Sequence, residues 1–464
     1  MKISYLLVFT LTQVVLSNPT PTQPERLAER QLLDLPSKIT DQSQIESIAA
    51  GLESDAAILG AAASILIDVL EAIVPSPVPA AIPDAISSVA SVYAAHPTDF
   101  VVNALDFILD GLVPSDITNL VTTEGSEENS SSNNNPLSPS PAVYPQKSAG
   151  DAPYSLDENS LRSAIYIPSN FTYGEIPAVL LVSGTGALAG GNFGPNFGKE
   201  FQGSDYADPV YINIPGKQLA DLQIEAEYVA YAVNYISAIS DNKNVSVLSW
   251  SAGSSISQWA VTYWPSTRSV ISDFIPISGD LHGTETAYFL CPGFPRLPCA
   301  PAILQQEYNS TFVATLRNAG GSSAYVPTTS VYSIFDEIIQ PQENTGASAY
   351  VFDERKVGVS NTELQNACTV AQPGGTLYTH EGVLYNALAF ALAKDALIHD
   401  GPGDLSRVDV VAECQKIVIS GLSLTDVLAT EAIVVELVFG ALTYPDKVLS
   451  EPAIASYAQT DVPA

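Results

Sequence analysis

The chain has 464 residues and a formal net charge of −32, from 18 Lys and Arg against 50 Asp and Glu. That length holds one large domain and a smaller one, and a composition that is 46% hydrophobic, with 15 Phe, 21 Tyr and 3 Trp, supplies a sizeable core. A pI near 4.1 argues against nucleic acid and anionic membrane surfaces as partners, because the long-range field repels them.

The chain opens with the pattern of a secretory signal over residues 1–17. Lys2 is the positive end, Ile3 to Leu16 the apolar stretch, and Val15-Leu16-Ser17 a small-residue cleavage site. The stretch is short for a membrane span, and nothing later reads as a transmembrane segment. Residues 18–123 read as a small helical N-terminal module. Helical periodicity runs from Ile45 to Val74, breaks over Pro75 to Pro83, and resumes at Ala85 to Ala95 and Asp99 to Leu112. Ile58 to Val74 is apolar nearly all round, but Asp68 and Glu71 interrupt it, so a buried helix is expected rather than an anchor. Residues 124–141 are rich in Ser, Asn, Pro and Glu without apolar periodicity, which predicts a disordered linker open to proteolysis.

Asn129, Asn170, Asn244 and Asn309 each begin a glycosylation acceptor pattern, compatible with secretion, although Asn244 opens a predicted buried strand. Four cysteines, Cys291, Cys299, Cys368 and Cys414, suggest two disulfides in an extracellular setting. Of three pairings, the preferred one closes the Pro-rich segment with Cys291–Cys299 and leaves Cys368–Cys414. A metal site is not expected, since the thiols lack close pairs and only four His exist.

From residue 142 to 464 strands alternate with helices. Strands are expected at Ile176 to Gly184, Pro209 to Ile214, Val245 to Trp250, Ile271 to Ile277, Thr328 to Ile334 and Thr376 to Tyr378. Helices are expected at Leu219 to Ile239, Ser254 to Tyr263 and Leu384 to Leu397. This alternation predicts an α/β fold with a mostly parallel, doubly wound sheet, whose reactive groups collect at the carboxyl ends of strands.

Ser249-Trp250-Ser251-Ala252-Gly253 has the layout of a nucleophile elbow, a serine on a tight strand-to-helix turn between small residues, relaxed by Ser249 at the first Gly position. Serine needs a base, and the base an orienting carboxylate. His380, on a strand-to-helix loop, is the leading candidate base. His282 remains open, while His96 lies in the N-terminal module and His399 at a helix end, where a cation is explained structurally. Asp336 and Asp280 both end strands, and Glu337 is adjacent. The order Ser251, Asp336, His380 is the α/β-hydrolase order. Ser183-Gly184-Thr185-Gly186 could supply an oxyanion donor, but is not a dinucleotide fingerprint.

Several blocks, in order, extend this pattern. They are Val182 to Gly186, Ser251-Ala252-Gly253 with Gln258-Trp259, Trp264-Pro265-Ser266-Thr267-Arg268, Leu316 to Gly321, Val326-Pro327-Thr328-Thr329, and Tyr332-Ser333 through Asp336 to Gln342. Together they resemble the Candida antarctica lipase B-like family of fungal lipases, from about Ser155 to the C-terminal region. The N-terminal module and the linker lie outside the resemblance. It implies an α/β-hydrolase fold, with Ser251 as nucleophile, Asp336 as acid and His380 as base. Thr185 matches the oxyanion threonine. Ala252 takes the second oxyanion position, where the family has Gln, and its backbone N–H is the donor there. Trp250 matches a tryptophan flooring the small alcohol subsite, Asp280 and Gln340 match pocket residues, and Ile338 an apolar wall. Leu424 to Leu442 resembles the helix lining the entrance, and Cys368 with Cys414 one family disulfide. Glu285 to Tyr308 is longer than its family counterpart and falls where a lid or entrance element would sit.

The resemblance implies a secreted serine ester hydrolase, a lipase or carboxylesterase acting on lipid or other carboxylic esters. It would act as a monomer without metal or organic cofactor, with contact to a lipid–water interface left open. An acyltransferase or polyester hydrolase with the same triad, and a non-catalytic secreted binding protein on the same scaffold, are the alternatives. The N-terminal module is read as a pro-region covering the site until the linker is cut, a retained helical cap, or a solvated appendage.

Overall fold

The computed structural model describes residues 35–54, 62–122 and 125–463, so the leader lies outside the described residues. A seven-stranded sheet forms the centre: β1 (Ile165–Tyr166), β2 (Ala178–Val182), β3 (Asp208–Ile212), β4 (Val245–Trp250), β5 (Ile271–Ile277), β6 (Thr328–Tyr332) and β7 (Val359–Glu363). Their spatial order is β1-β3-β2-β4-β5-β6-β7, and only β1 is antiparallel to its neighbour. β2 and β4 are buried on both faces, which is why they read as unbroken apolar runs. Alternation still sorts their side chains. Ala178, Leu180 and Val182 pack under α6 (Leu222–Ile239) and α7 (Ala252–Tyr263), whereas Val179 and Leu181 face Phe193, Phe197 and α8 (Ala387–Ile398).

The chain steps from β2 outward to β3 and then crosses back to β4, so the strand order reverses between β2 and β4. Val182 pairs with Ser249 in register, which brings the ends of both strands to one crevice.

The N-terminal module supplies α1 (Gln42–Ser54), α2 (Ala62–Ala72), α3 (Ile82–Ala95), α4 (Phe100–Leu109) and α5 (Ile117–Thr122). Within the expected run from Ile45 to Val74, the described residues form α1 and α2. Their apolar faces share one cluster with α9 (Leu424–Thr443) and with Ile338 and Ile339. This module is therefore packed on the large domain through a hydrophobic surface of its own, and not a solvated appendage.

Four expectations change. Thr376 to Tyr378 forms no strand. A 3-10 turn, Gly382–Tyr385, precedes the regular helix α8 in place of one helix from Leu384. The stretch 125–141, expected to be disordered, follows a defined path over the sheet edge. Asn133 N–H donates to Ser163 O at 3.1 Å, Asn135 Nδ2 to Arg162 O and Ile165 O at 2.8 Å each, and Tyr235 Oη to Leu137 O at 3.0 Å. Its polar residues satisfy the ends of neighbouring elements instead of water. Finally, Asn129 is 7% exposed and its Oδ1 accepts from Gly191 N–H at 2.7 Å, so this acceptor pattern is not presented for glycosylation. Asn170, Asn244 and Asn309 are exposed; Asn244 sits just before β4, not inside it. Both expected disulfides, Cys291–Cys299 and Cys368–Cys414, are formed.

Candidate active site

The elbow is built by close approach. Ser251 has φ 55° and ψ −132°, a conformation L-residues avoid, and it is held between β4 and α7. Its N–H donates to Ile277 O at 3.3 Å, and its carbonyl accepts from Ser254 N–H at 2.9 Å. Ser249, the unusual residue at the first small position, fits because its hydroxyl pairs with that of Ser254 at 2.9 Å. At Gly253 any Cβ would lie 2.3 Å from Ser183 O and 2.5 Å from Val182 O, so only glycine lets α7 cross β2. Gly253→Ala is expected to destabilise the fold by about 2–4 kcal/mol, since backbone on both sides cannot yield. A melting temperature equal to wild type would contradict this packing.

Asp336 lies in the loop that follows β6, and His380 in the loop ahead of the 3-10 turn Gly382–Tyr385. Asp336 Oδ2 lies 2.8 Å from His380 Nδ1, and both residues are 0% exposed. Asp336 Oδ1 accepts from Ile338 N–H at 3.1 Å and Ile339 N–H at 2.7 Å, which fixes the carboxylate. The imidazole lies 4.5 Å, centroid to centroid, from the indole of Trp250, the residue before Ser251. The Trp250 indole N–H donates to the His380 carbonyl at 3.0 Å, tying the loop to the elbow strand. Nε2 of His380 is enclosed and has no hydrogen-bond partner, so that edge of the ring is uncommitted.

The other histidines are engaged elsewhere. His282 Nδ1 lies 2.9 Å from Ser348 O, and burial lowers its pKa. His96 contacts Gln42 within the module, and His399 pairs with Asp395 at a helix end. Asp280 is 1% exposed, its Oδ1 accepts from Ser348 Oγ at 3.3 Å, and burial pushes its carboxyl up to about 7. Gln340 Nε2 donates to the Asp336 carbonyl.

The turn after β2 lies against the elbow: a Cβ on Gly184 would come 2.7 Å from Ser251 Cβ. Thr185 is 4% exposed, and its hydroxyl oxygen accepts from Gln306 Nε2 at 2.8 Å. Ala252 is the first residue of α7, at the positive end of the helix. Helix α9 crosses this turn directly, since a Cβ on Gly186, at φ 78°, would meet Leu437 Cα at 2.5 Å. Ser251 itself is only 4% exposed. The disulfide-closed segment Cys291–Cys299 packs against Ala441 of α9, and Phe289 beside it lies 6.4 Å from Phe100 of the module.

No protein-family model matches the sequence. Over 286 residues, 61% of this chain, it is 30% identical to lipase B of Pseudozyma antarctica and spans 79% of that protein. The chain belongs to the lipase B family. The crystal structure of Aspergillus fumigatus lipase B superposes with a TM-score of 0.80 at 44% identity, covering 89% of this chain and 99% of that one. Residues 142–464 alone fall short of 89% of the chain, so the likeness takes in part of the N-terminal module. This lipase B-family chain has the α/β-hydrolase fold and is a carboxylic ester hydrolase.

Sequence reasoning missed Gln306 and, among the acids around His380, Glu381 and Glu431. Gln306 lies in the segment Glu285 to Tyr308, read as longer than its family counterpart, so the resemblance assigned it no role. Glu337 and Glu381 are adjacent in sequence to Asp336 and His380, but adjacency alone carries no signal of what they touch.

Proposed function

We propose that this lipase B-family hydrolase cleaves lipid or other carboxylic esters through a Ser251–His380–Asp336 triad. Ser251 Oγ attacks the ester carbonyl carbon while His380 Nε2 takes its proton. The tetrahedral oxyanion collapses, the C–O bond to the alcohol breaks, and the imidazolium returns that proton to the leaving alkoxide. Water then attacks the acyl-enzyme with the same base and releases the acid. Asp336 fixes the tautomer with Nε2 free to accept and stabilises the imidazolium. The oxyanion is held by the N–H groups of Thr185 and Ala252 and by the Thr185 hydroxyl. Gln306 occupies a lone pair of that hydroxyl and leaves its hydrogen to donate.

The observation that carries this reading is the buried Asp336–His380 bond at 2.8 Å, with Nε2 uncommitted beside the elbow. Trp250, Asp280, Ile338 and Gln340 would line the substrate pocket. Two disulfides and exposed acceptor patterns at Asn170, Asn244 and Asn309 support a secreted enzyme. The test is a fluorophosphonate, which reacts only with an activated serine. Stoichiometric labelling of the Ser251 peptide, read by mass spectrometry, is expected; labelling of a different residue, or none in a protein that hydrolyses the ester, would remove Ser251 as the nucleophile.

The N-terminal module is proposed to cover the site. Its helices close over α9 and the Ile338–Ile339 wall, and the triad beneath is buried.

A further inference from the structure

Behind the imidazole lies a group of acids that ester hydrolysis does not use. Glu337 follows Asp336, Glu381 follows His380, and Glu431 projects from α9. Glu381 is 1% exposed and Glu431 0%. The His380 backbone N–H donates to Glu337 Oε2 at 3.0 Å. Tyr93, on α3 of the N-terminal module, donates its hydroxyl to Glu381 Oε1 at 3.0 Å. Tyr385 donates to Glu431 Oε1 at 2.6 Å. The remaining oxygens, Glu337 Oε1, Glu381 Oε2 and Glu431 Oε2, are enclosed without an N–H or hydroxyl donor. The titratable groups facing the cluster are Tyr93 from α3, Asp336 and His380 from the site, and Tyr385 from the turn before α8. Among the described residues, no lysine or arginine is ion-paired with any of the three acids.

Three buried carboxylates without a cation cannot all stay charged. A proton on Glu431 makes it a donor to Glu381, whose Oε2 has none otherwise. Burial, then the Glu381 charge, holds Glu431 well above the usual carboxylate range. Burial likewise raises Glu337, reinforced by Glu381 and Asp336. In Glu381 burial is opposed by its bonds from Glu431 and Tyr93 and by attraction to His380.

We propose that Glu381 is a positioning residue for His380, and that the proton it shares with Glu431, with the Tyr93 hydroxyl, ties the N-terminal module to the catalytic loop. This rests on His380 being the base. Because the folded acids ionise less readily than free ones, the tie is complete below about pH 4, the ordinary carboxylate range. It weakens as pH rises through their folded values, when like charges accumulate beneath the module.

Hydrogen exchange of the intact protein tests the tie without any turnover. After correction for intrinsic rates, residues 82–95 should exchange about tenfold faster at pH 9 than at pH 5. Glu431→Gln keeps a donor at every pH and should flatten that dependence, and Tyr93→Phe should bring fast exchange at pH 5. In kinetics on a soluble ester, Glu381→Ala should lower kcat about tenfold, and Glu381→Gln should restore most of it with a flatter pH profile. A wild-type pH dependence in Glu431→Gln, or equal kcat in Glu381→Ala and Glu381→Gln, would overturn the proposal. A protein with pH-dependent exchange but no esterase activity would sink the role of His380 as base and leave the Glu381–Tyr93 tie in place.

Discussion

Ser251→Ala is expected to lower turnover of a p-nitrophenyl ester by about 10⁴- to 10⁶-fold, with a melting temperature close to wild type. The size follows from the mechanism, since without Oγ no acyl-enzyme forms and only the oxyanion donors remain to assist water. The fold should survive because the substitution removes one oxygen from a residue whose strained backbone is held by its own N–H and carbonyl bonds. Alanine also tolerates a φ of 55° no worse than serine. Steady-state kinetics on a soluble short-chain ester keeps interfacial effects out of the measurement. A variant that retains a tenth of wild-type activity would remove Ser251 as nucleophile.

Phe107→Ala should raise kcat/KM on a bulky ester by at least about tenfold while increasing proteolysis of the N-terminal module. Phe107 is 0% exposed inside α4, and its ring stands 5.4 Å from that of Tyr93. Deleting such a ring costs about 3–5 kcal/mol, and that cost falls on the module, whose helices share one apolar cluster with α9. A looser module uncovers Ser251 more often, so the gain should be larger for bulky esters than for small ones. Limited proteolysis followed by mass spectrometry would locate the loosened helices. If activity on both substrates is unchanged while the module becomes protease-sensitive, the module does not gate the site.

The elbow was legible because it is local. An apolar strand, a serine between small residues and a following helix are dictated by steric needs within ten residues, and β4 and β5 fall where the apolar runs place them. β7 escaped notice because Val359-Ser-Asn-Thr-Glu363 is a polar edge strand without an apolar run. Thr376 to Tyr378 misled for the opposite reason: Tyr378 is buried, but its hydroxyl is bonded to Pro373 O and Ile417 O rather than set in a ladder. The Ser- and Asn-rich stretch after residue 124 looked disordered because composition reports what a segment cannot bury. It does not report that Asn213, far along the chain, would donate to the carbonyls of Glu128 and Ser130.

The candidates Ser251, Asp336 and His380, their order and the alternating sheet were all present in the one-dimensional pattern. Periodicity and turn chemistry act over a few residues, and chain order follows from them. Which histidine meets which carboxylate, that Gln306 reaches Thr185, and that Tyr93 of the module bonds an acid next to His380 were decided only by the folded chain. Those pairings join groups 44, 121 and 288 residues apart. They depend on how the β2–β4 reversal, α9 and the module stack, and no local propensity encodes that stacking.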